Sequence, residues 1–298
     1  MFPLEFSKYF DQVIVLGEKY VYECLLKQMD LEYPIADFSP TDQAIKLELA
    51  QIEEFMQLDL NKNDTLLLND ISFPGLFANI LYHKRPKKVL AICHATAKNR
   101  LDYFHRIRDK KYSQELAVSR MFDKIIVATN YHAEKLGWKN LKVFPFPINK
   151  FYSNYMEVER IHDVVSVARF GKQKITKYIE ESIHRMFGVV HPESRFESWV
   201  DYYAFLHQSK VMLITSKEET FGYQVQDAIN CGVVPLAPNK YSYPEILDAK
   251  YLYNDVADLR MKIREVLAGE LKPPLRMITE MESDLFFKSV CRAMGKDI

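Results

Sequence analysis

Short runs of Val, Ile and Leu recur along the chain with helix-length segments between them, and this alternation constrains the fold more than any other feature. Strands buried on both faces read as continuous apolar runs, and parallel strands need a crossover, usually a helix, to join them. The pattern therefore predicts an α/β protein built on parallel sheets. In the first half the runs are Gln12–Leu16, Thr65–Leu68, Val89–Cys93, Lys124–Ala128 and Leu141–Phe144. One helix between them is expected to carry Val21, Leu25, Leu26 and Met29 on one face. Another is expected to start at a Thr41 cap and run through Ile45, Leu49, Ile52 and Met56. Phe144-Pro145-Phe146-Pro147-Ile148-Asn149 then breaks regular structure, because each proline fixes φ and removes a donor. The alternation restarts with Asp163–Ala168, a helix over Ile175–Met186, Val189–His191, a helix over Trp199–His207, Val211–Thr215, a helix over Tyr223–Asn230, Val233–Ala237 and a helix over Val256–Leu267. Two Rossmann-like, doubly wound lobes are expected, residues 1–150 and 151–280. A last helix within 281–298 is expected to cross back onto the first lobe.

A length of 298 residues suits two such lobes, each with its own core. No apolar run reaches the 18 or so residues needed to cross a bilayer, so no transmembrane segment is expected. Met1-Phe2-Pro3-Leu4-Glu5 lacks a basic leader followed by an apolar stretch, and a cytoplasmic location is expected. Cys24, Cys93, Cys231 and Cys291 are scattered, which suggests neither a disulfide framework nor a zinc site. The nine glycines form neither the G-x-G-x-x-G nor the G-x-x-x-x-G-K signature, and no G-x-S-x-G elbow is present. Dehydrogenases, P-loop enzymes and α/β-hydrolases are thereby disfavoured. The 40 basic and 40 acidic residues balance overall, but not locally. Residues 1–80 hold 14 Asp/Glu against 5 Lys/Arg, whereas residues 84–124 hold 12 Lys/Arg against 4 Asp/Glu. A solvated surface is one reading of the basic segment. An anion-facing patch is the other, and Tyr103, Phe104 and Tyr112 would then suit stacking on bases.

The stretch from Ile214 to Pro235 carries the most chemistry. A strand ends in an acidic turn with a glycine, a helix opens at that turn, and a second carboxylate lies further along it. Glycine allows close backbone approach, and free N–H groups at a helix start attract phosphate. Glu219 would sit at the mouth, able to accept from sugar hydroxyls, and Asp227 could meet a ribose. An ordinary strand–loop–helix turn is the alternative.

Ser216, Glu219, Phe221-Gly222, Ala228 and Gly232-Val233-Val234-Pro235 resemble the E-x7-E element of nucleotide-sugar glycosyltransferases of the two-lobed GT-B fold, particularly family 4. Asp227 stands where that element has a second glutamate. Ser242-Tyr243-Pro244-Glu245-Ile246-Leu247 resembles the short Pro-Glu helix that closes over the nucleotide. Val165-Ser166-Val167-Ala168-Arg169 followed by Lys174 resembles the strand and Arg/Lys pair that holds the donor diphosphate. In the first lobe, Leu90-Ala91-Ile92-Cys93-His94 resembles the strand whose histidine lies near the donor sugar. Gly17 stands alone where the family has a glycine-rich loop. Asn130-Tyr131-His132 and Phe146-Pro147-Ile148-Asn149 resemble the approach to the hinge.

The resemblance implies a retaining glycosyltransferase, possessing no cofactor beyond its nucleotide-sugar co-substrate, with the donor on the second lobe and the acceptor on the first. Arg169 and Lys174 would hold the diphosphate, the Thr220, Phe221 and Gly222 backbone the phosphate and sugar, Glu219 the sugar hydroxyls, Asp227 the ribose, and Glu245 the nucleotide side. His94 would lie near the reacting carbon. No D-x-D pair is present, and the cations make a metal unnecessary. A hydroxylated base in DNA, of the kind that phage base-glucosylating enzymes modify, is one candidate acceptor, reached through residues 84–124. A lipid or polysaccharide acceptor with peripheral membrane contact, a non-catalytic nucleotide-sugar-binding module, and a sugar-nucleotide epimerase are the alternatives.

Overall fold

The computed structural model describes residues 5–16, 40–71, 75–101, 105, 107–147, 158–167, 175–192, 196, 199–274 and 280–298. The described residues up to Pro147 form one compact unit together with Glu280–Ile298, and those from Val158 to Pro274 form the other. The expected helix around Val21–Met29 lies outside the described residues, as do Gly17, Tyr103 and Phe104.

The first lobe runs α1 (Pro40–Gln57), β1 (Thr65–Leu68), α2 (Gly75–His83), β2 (Lys88–Ile92), α3 (Arg108–Ser119), β3 (Lys124–Val127), α4 (Asn130–Leu136) and β4 (Leu141–Val143). Its four strands are all parallel and pair in chain order, in registers such as Leu67 with Leu90 and Ile126 with Lys142. Val89, Ala91, Ile125 and Val127 are buried with Phe55, Leu81 and Trp138 from the flanking elements. Each large apolar side chain so buried contributes about 1.5–3 kcal/mol. Helix α4 has clear local stops. The Thr129 hydroxyl accepts from the His132 amide at its start, and Gly137 takes the left-handed conformation at its end.

The second lobe runs β5 (His162–Val165), α5 (Lys177–Phe187), α6 (Trp199–His207), β6 (Ser209–Leu213), α7 (Tyr223–Asn230), β7 (Val234–Pro238), α8 (Tyr243–Ile246), β8 (Leu252–Tyr253) and α9 (Val256–Leu267). Strands β5 to β8 are parallel and again in order. Val190 adds a parallel bridge to Val165 on the other edge of β5. The chain therefore leaves β5 toward one side and then builds β6 on the opposite side. This is a topological switch point, and open α/β sheets bind ligands outside the carboxyl ends of the strands at such a point.

The C-terminal helix α10 (Glu280–Ala293) packs within the first unit. Phe287 meets Phe6, Phe286 meets Phe146, and the Tyr9 hydroxyl donates to Asp284 at 3.0 Å.

Two expected strands differ. Gln12–Leu16 forms no strand and pairs with none among the described residues, and Ile14 is 54% exposed, because strand-forming side chains extend a segment only where a partner strand takes up its backbone groups. Val189–His191 contracts to the single bridge at Val190.

Candidate functional site

Strand β6 is followed by a turn whose conformation is set by one acidic side chain and one glycine. A Glu219 carboxylate oxygen accepts from the Thr220 amide at 2.9 Å and from the Phe221 amide at 3.4 Å. Gly222 caps α7 with φ at +88°, a region that side-chain-bearing residues rarely enter. A Cβ there would lie 3.0 Å from Ile246 Cδ1 and 3.3 Å from Tyr243 Cε1. The Ser242–Leu247 segment is thus packed directly on the Glu219 turn, although some twenty residues of sequence separate them. Tyr243 is buried, with its hydroxyl beside Ser216. Burial, followed by the Glu219 charge, pushes its phenol well above the ordinary tyrosine value. Glu245 is exposed on the outer side of α8.

Arg169 and Lys174 lie outside the described residues, but both flanks of their segment are described. On one side, the Gln224 amide in the first turn of α7 donates to the Val167 carbonyl at 2.7 Å. On the other, Ile175 bridges Ser216, and the Thr176 hydroxyl donates to the Thr215 carbonyl at 2.8 Å. Beneath both flanks lies Glu180, 4% exposed. One of its oxygens accepts from the hydroxyls of Ser166 and Thr215, and the other faces His191 at 3.8 Å. Glu180 thereby joins the residues that close β5 and β6, where the two loops begin.

Asp227 lies one turn into α7, on the face shared with Gln224. Its two carboxylate oxygens accept from the hydroxyls of Tyr202 at 3.0 Å and Tyr203 at 2.9 Å, both on α6. Burial, then the Asp227 charge, raises the Tyr202 phenol well above its ordinary value.

In the first lobe, His94 follows β2 half-buried, with Nε2 3.1 Å from the Asn69 carbonyl and its ring against Phe146. The loop beyond it is pinned by Glu115, which accepts from the Ala97 amide through both oxygens. His132 is fully buried, and burial, helped by Lys135 and His94, lowers its imidazole to about 3. Neither of its ring nitrogens has a hydrogen-bond partner among the described residues.

Several cations of the 84–124 segment bond within their own lobe. Lys84 donates to the Leu58 carbonyl, Arg85 to the Met121 carbonyl and Asp123, and Lys98 to the last carbonyls of α4 while lying over Tyr112. Lys87, Lys110 and Arg120 stay exposed. Glu180, Gln224, Tyr202 and Tyr203 were not singled out by sequence reasoning. The available signal was weak, a hydroxyl residue closing each of two strands and a Tyr-Tyr pair on a largely apolar helix that also carries Asp201 and His207.

No protein-family model matches the sequence. A Klebsiella pneumoniae protein described as an uncharacterized 41.2 kDa protein in cps region is 28% identical over 235 residues, with 64% of each chain covered. The tRNA-queuosine alpha-mannosyltransferase of Drosophila melanogaster is 36% identical over 63 residues, covering 21% of this chain and 17% of that protein. The chain thus spans less than two thirds of the length of either curated relative. Among solved structures, Anabaena Alr3699/HepE in complex with UDP and glucose superposes with a TM-score of 0.60 at 12% identity, covering 93% of this chain and 85% of that one. The pneumococcal O-GlcNAc transferase GtfA, in complex with UDP and GlcNAc, gives 0.53 at 15%, covering 83% and 60%. Sucrose-phosphate synthase from Thermosynechococcus elongatus gives 0.54 at 13%, covering 85% and 72%. With its two parallel-sheet α/β lobes, the chain has the GT-B fold.

Proposed function

We propose that this chain is a retaining, metal-independent glycosyltransferase that takes its sugar from a nucleoside-diphosphate sugar. One observation carries the reading: both flanks of the Arg169/Lys174 segment are tied to the turn that holds Glu219 and Gly222, at the switch point of the second sheet. Arg169 and Lys174 then take the diphosphate, and the Thr220–Gly222 backbone lies beside phosphate and sugar. Glu219 accepts from sugar hydroxyls, Asp227 from the ribose, and Glu245 lies on the nucleotide side. His94 in the first lobe lies near the reacting carbon. The bond from the anomeric carbon to the β-phosphate oxygen breaks, and its electron pair leaves with the diphosphate. The acceptor oxygen bonds to the same face of that carbon, and its proton passes to the departing phosphate. Fixed cations stabilise the negative charge that grows on the leaving group. The finer part of the proposal is the acceptor, a hydroxyl on a nucleic-acid base. Exposed Lys87, Lys110 and Arg120 and the tRNA acceptor in the fly relative's name support it.

The test is release of free nucleoside diphosphate from a panel of nucleotide sugars in the presence of EDTA. The native chain is expected to release it, and Arg169→Ala with Lys174→Ala to lose at least a hundredfold in rate. Equal rates in both proteins would refute the assignment, and no release by the native chain would leave a binding module. Salt-sensitive retention on duplex DNA or tRNA supports the base acceptor, whereas retention on anionic vesicles alone replaces it with a lipid.

A further inference from the structure

A buried acid beneath a site that takes an anion needs a physical reason, and Glu180 is such an acid. It lies in the first turn of α5, whose cap, Thr176, stands two residues after Lys174. One carboxylate oxygen accepts from the hydroxyls of Ser166 and Thr215, which leaves the other to be balanced. That oxygen faces His191 Nε2 at 3.8 Å, and among the described residues no lysine or arginine comes within ion-pair distance of it. The backbone fixes His191 in this place. Val190, just before it, donates its amide to the Val164 carbonyl at 2.9 Å and accepts from the Ser166 amide at 3.1 Å. The far side of the ring is in solvent, the His191 side chain being 47% exposed against 6% for Glu180. Three neighbouring strand ends, at Val190, β5 and β6, are thus gathered on one charge. Its field reaches across the sheet, where burial, followed by the Glu180 charge, raises the Tyr253 phenol above its ordinary value.

We infer that Glu180 and His191 form a charge pair that adds a third phosphate-binding group to the donor site, His191 touching the diphosphate and Glu180 positioning it. This rests on the nucleotide-sugar reading above and extends it to two residues outside the matching motifs. In its imidazolium form His191 has a donor at each ring nitrogen. Nε2 turns to the carboxylate, and Nδ1 is left for a phosphate oxygen, a charge-assisted hydrogen bond of the stronger kind. The pairing also cancels a negative charge that otherwise repels an arriving diphosphate through the low-dielectric interior. Removing the imidazole therefore weakens diphosphate binding in two ways, by the lost donor and by the bared carboxylate. Neutralising Glu180 recovers the second part alone.

Titration calorimetry with inorganic pyrophosphate, UDP and GDP tests this on native protein, His191→Gln, His191→Arg, Glu180→Gln and the double variant His191→Gln with Glu180→Gln. His191→Gln is expected to weaken pyrophosphate and the preferred nucleotide by the same factor, about tenfold or more. His191→Arg keeps a cation and is expected to stay within about threefold of native. Glu180→Gln keeps an acceptor for Ser166 and Thr215, and in that background His191→Gln is expected to weaken binding by about threefold only. Native pyrophosphate affinity in His191→Gln, with an unchanged thermal melt, overturns the inference while leaving the glycosyltransferase reading intact. A loss confined to UDP or GDP overturns it too, since His191 then meets the nucleoside, and an equal loss in both Glu180 backgrounds overturns the pairing. Failure of the native chain to bind pyrophosphate or either nucleotide removes the glycosyltransferase reading, and this inference with it. Should Glu180→Gln misfold, the two single variants at the exposed His191 still decide.

Discussion

His132 shows how one side chain sets a pH limit on this fold. Its imidazole is neutral and fully buried in the first turn of α4, with a folded value of about 3 against an ordinary 6.5. Below about pH 6.5 the unfolded chain takes up a proton that the folded chain refuses. The stabilisation is therefore complete above that value and is lost as pH falls toward about 3. The loss amounts to about 1.4 kcal/mol per pH unit, or about 2 kcal/mol at pH 5. Urea unfolding at pH 7.5 and 5.0 is expected to show this decline in the native chain and a shallower one in His132→Leu, and equal declines would refute the role given to burial. At the same scale, residue type alone flagged Glu219, Gly222 and Asp227, because few side chains serve at an acidic glycine turn. Glu180 escaped notice, since one more glutamate in a charged helical segment carries no sign that it is buried beneath two strand ends.

At the scale of elements, the turn from β6 into α7 closes only because position 222 has no side chain. An alanine there would have to hold a left-handed φ and push into Ile246 and Tyr243 of α8. Gly222→Ala is expected to cost about 1–3 kcal/mol in thermal unfolding and to lower nucleoside-diphosphate release from the true donor. A native melt with a native rate would show that α8 moves aside freely. The apolar runs located β1 to β4, β6 and β7 to within two residues, and the run for β5 overshoots its end at Val165 by three, because continuous Val/Ile/Leu is what a strand buried on both faces demands but does not mark where pairing stops. The two-residue β8 was beyond reach, being shorter than any period that could mark it. Gln12–Leu16 misled for the complementary reason, since a run of strand-forming residues says nothing about whether another strand lies beside it.

At the scale of the whole molecule, the chain returns to its first unit through α10. Phe286 and Phe287 are 2% exposed, and Phe286 packs on Phe146, the ring that supports His94. Phe286→Ala leaves a cavity expected to cost about 3–5 kcal/mol. Hydrogen exchange should then quicken at β2 and β3 and stay unchanged at β6 and β7, whereas equal acceleration in both sheets would contradict the division into two units. Sequence by itself determined the α/β class, the two-lobe alternation and the acidic glycine turn, because periodicity and residue chemistry are local properties that survive without coordinates. Tertiary structure alone decided that α8 lies on Gly222, that Glu180 joins two strand ends, and that Tyr202 and Tyr203 hold Asp227. Those pairings join residues that are distant along the chain, and only the packing of the sheet and its helices brings their polar groups within hydrogen-bonding reach.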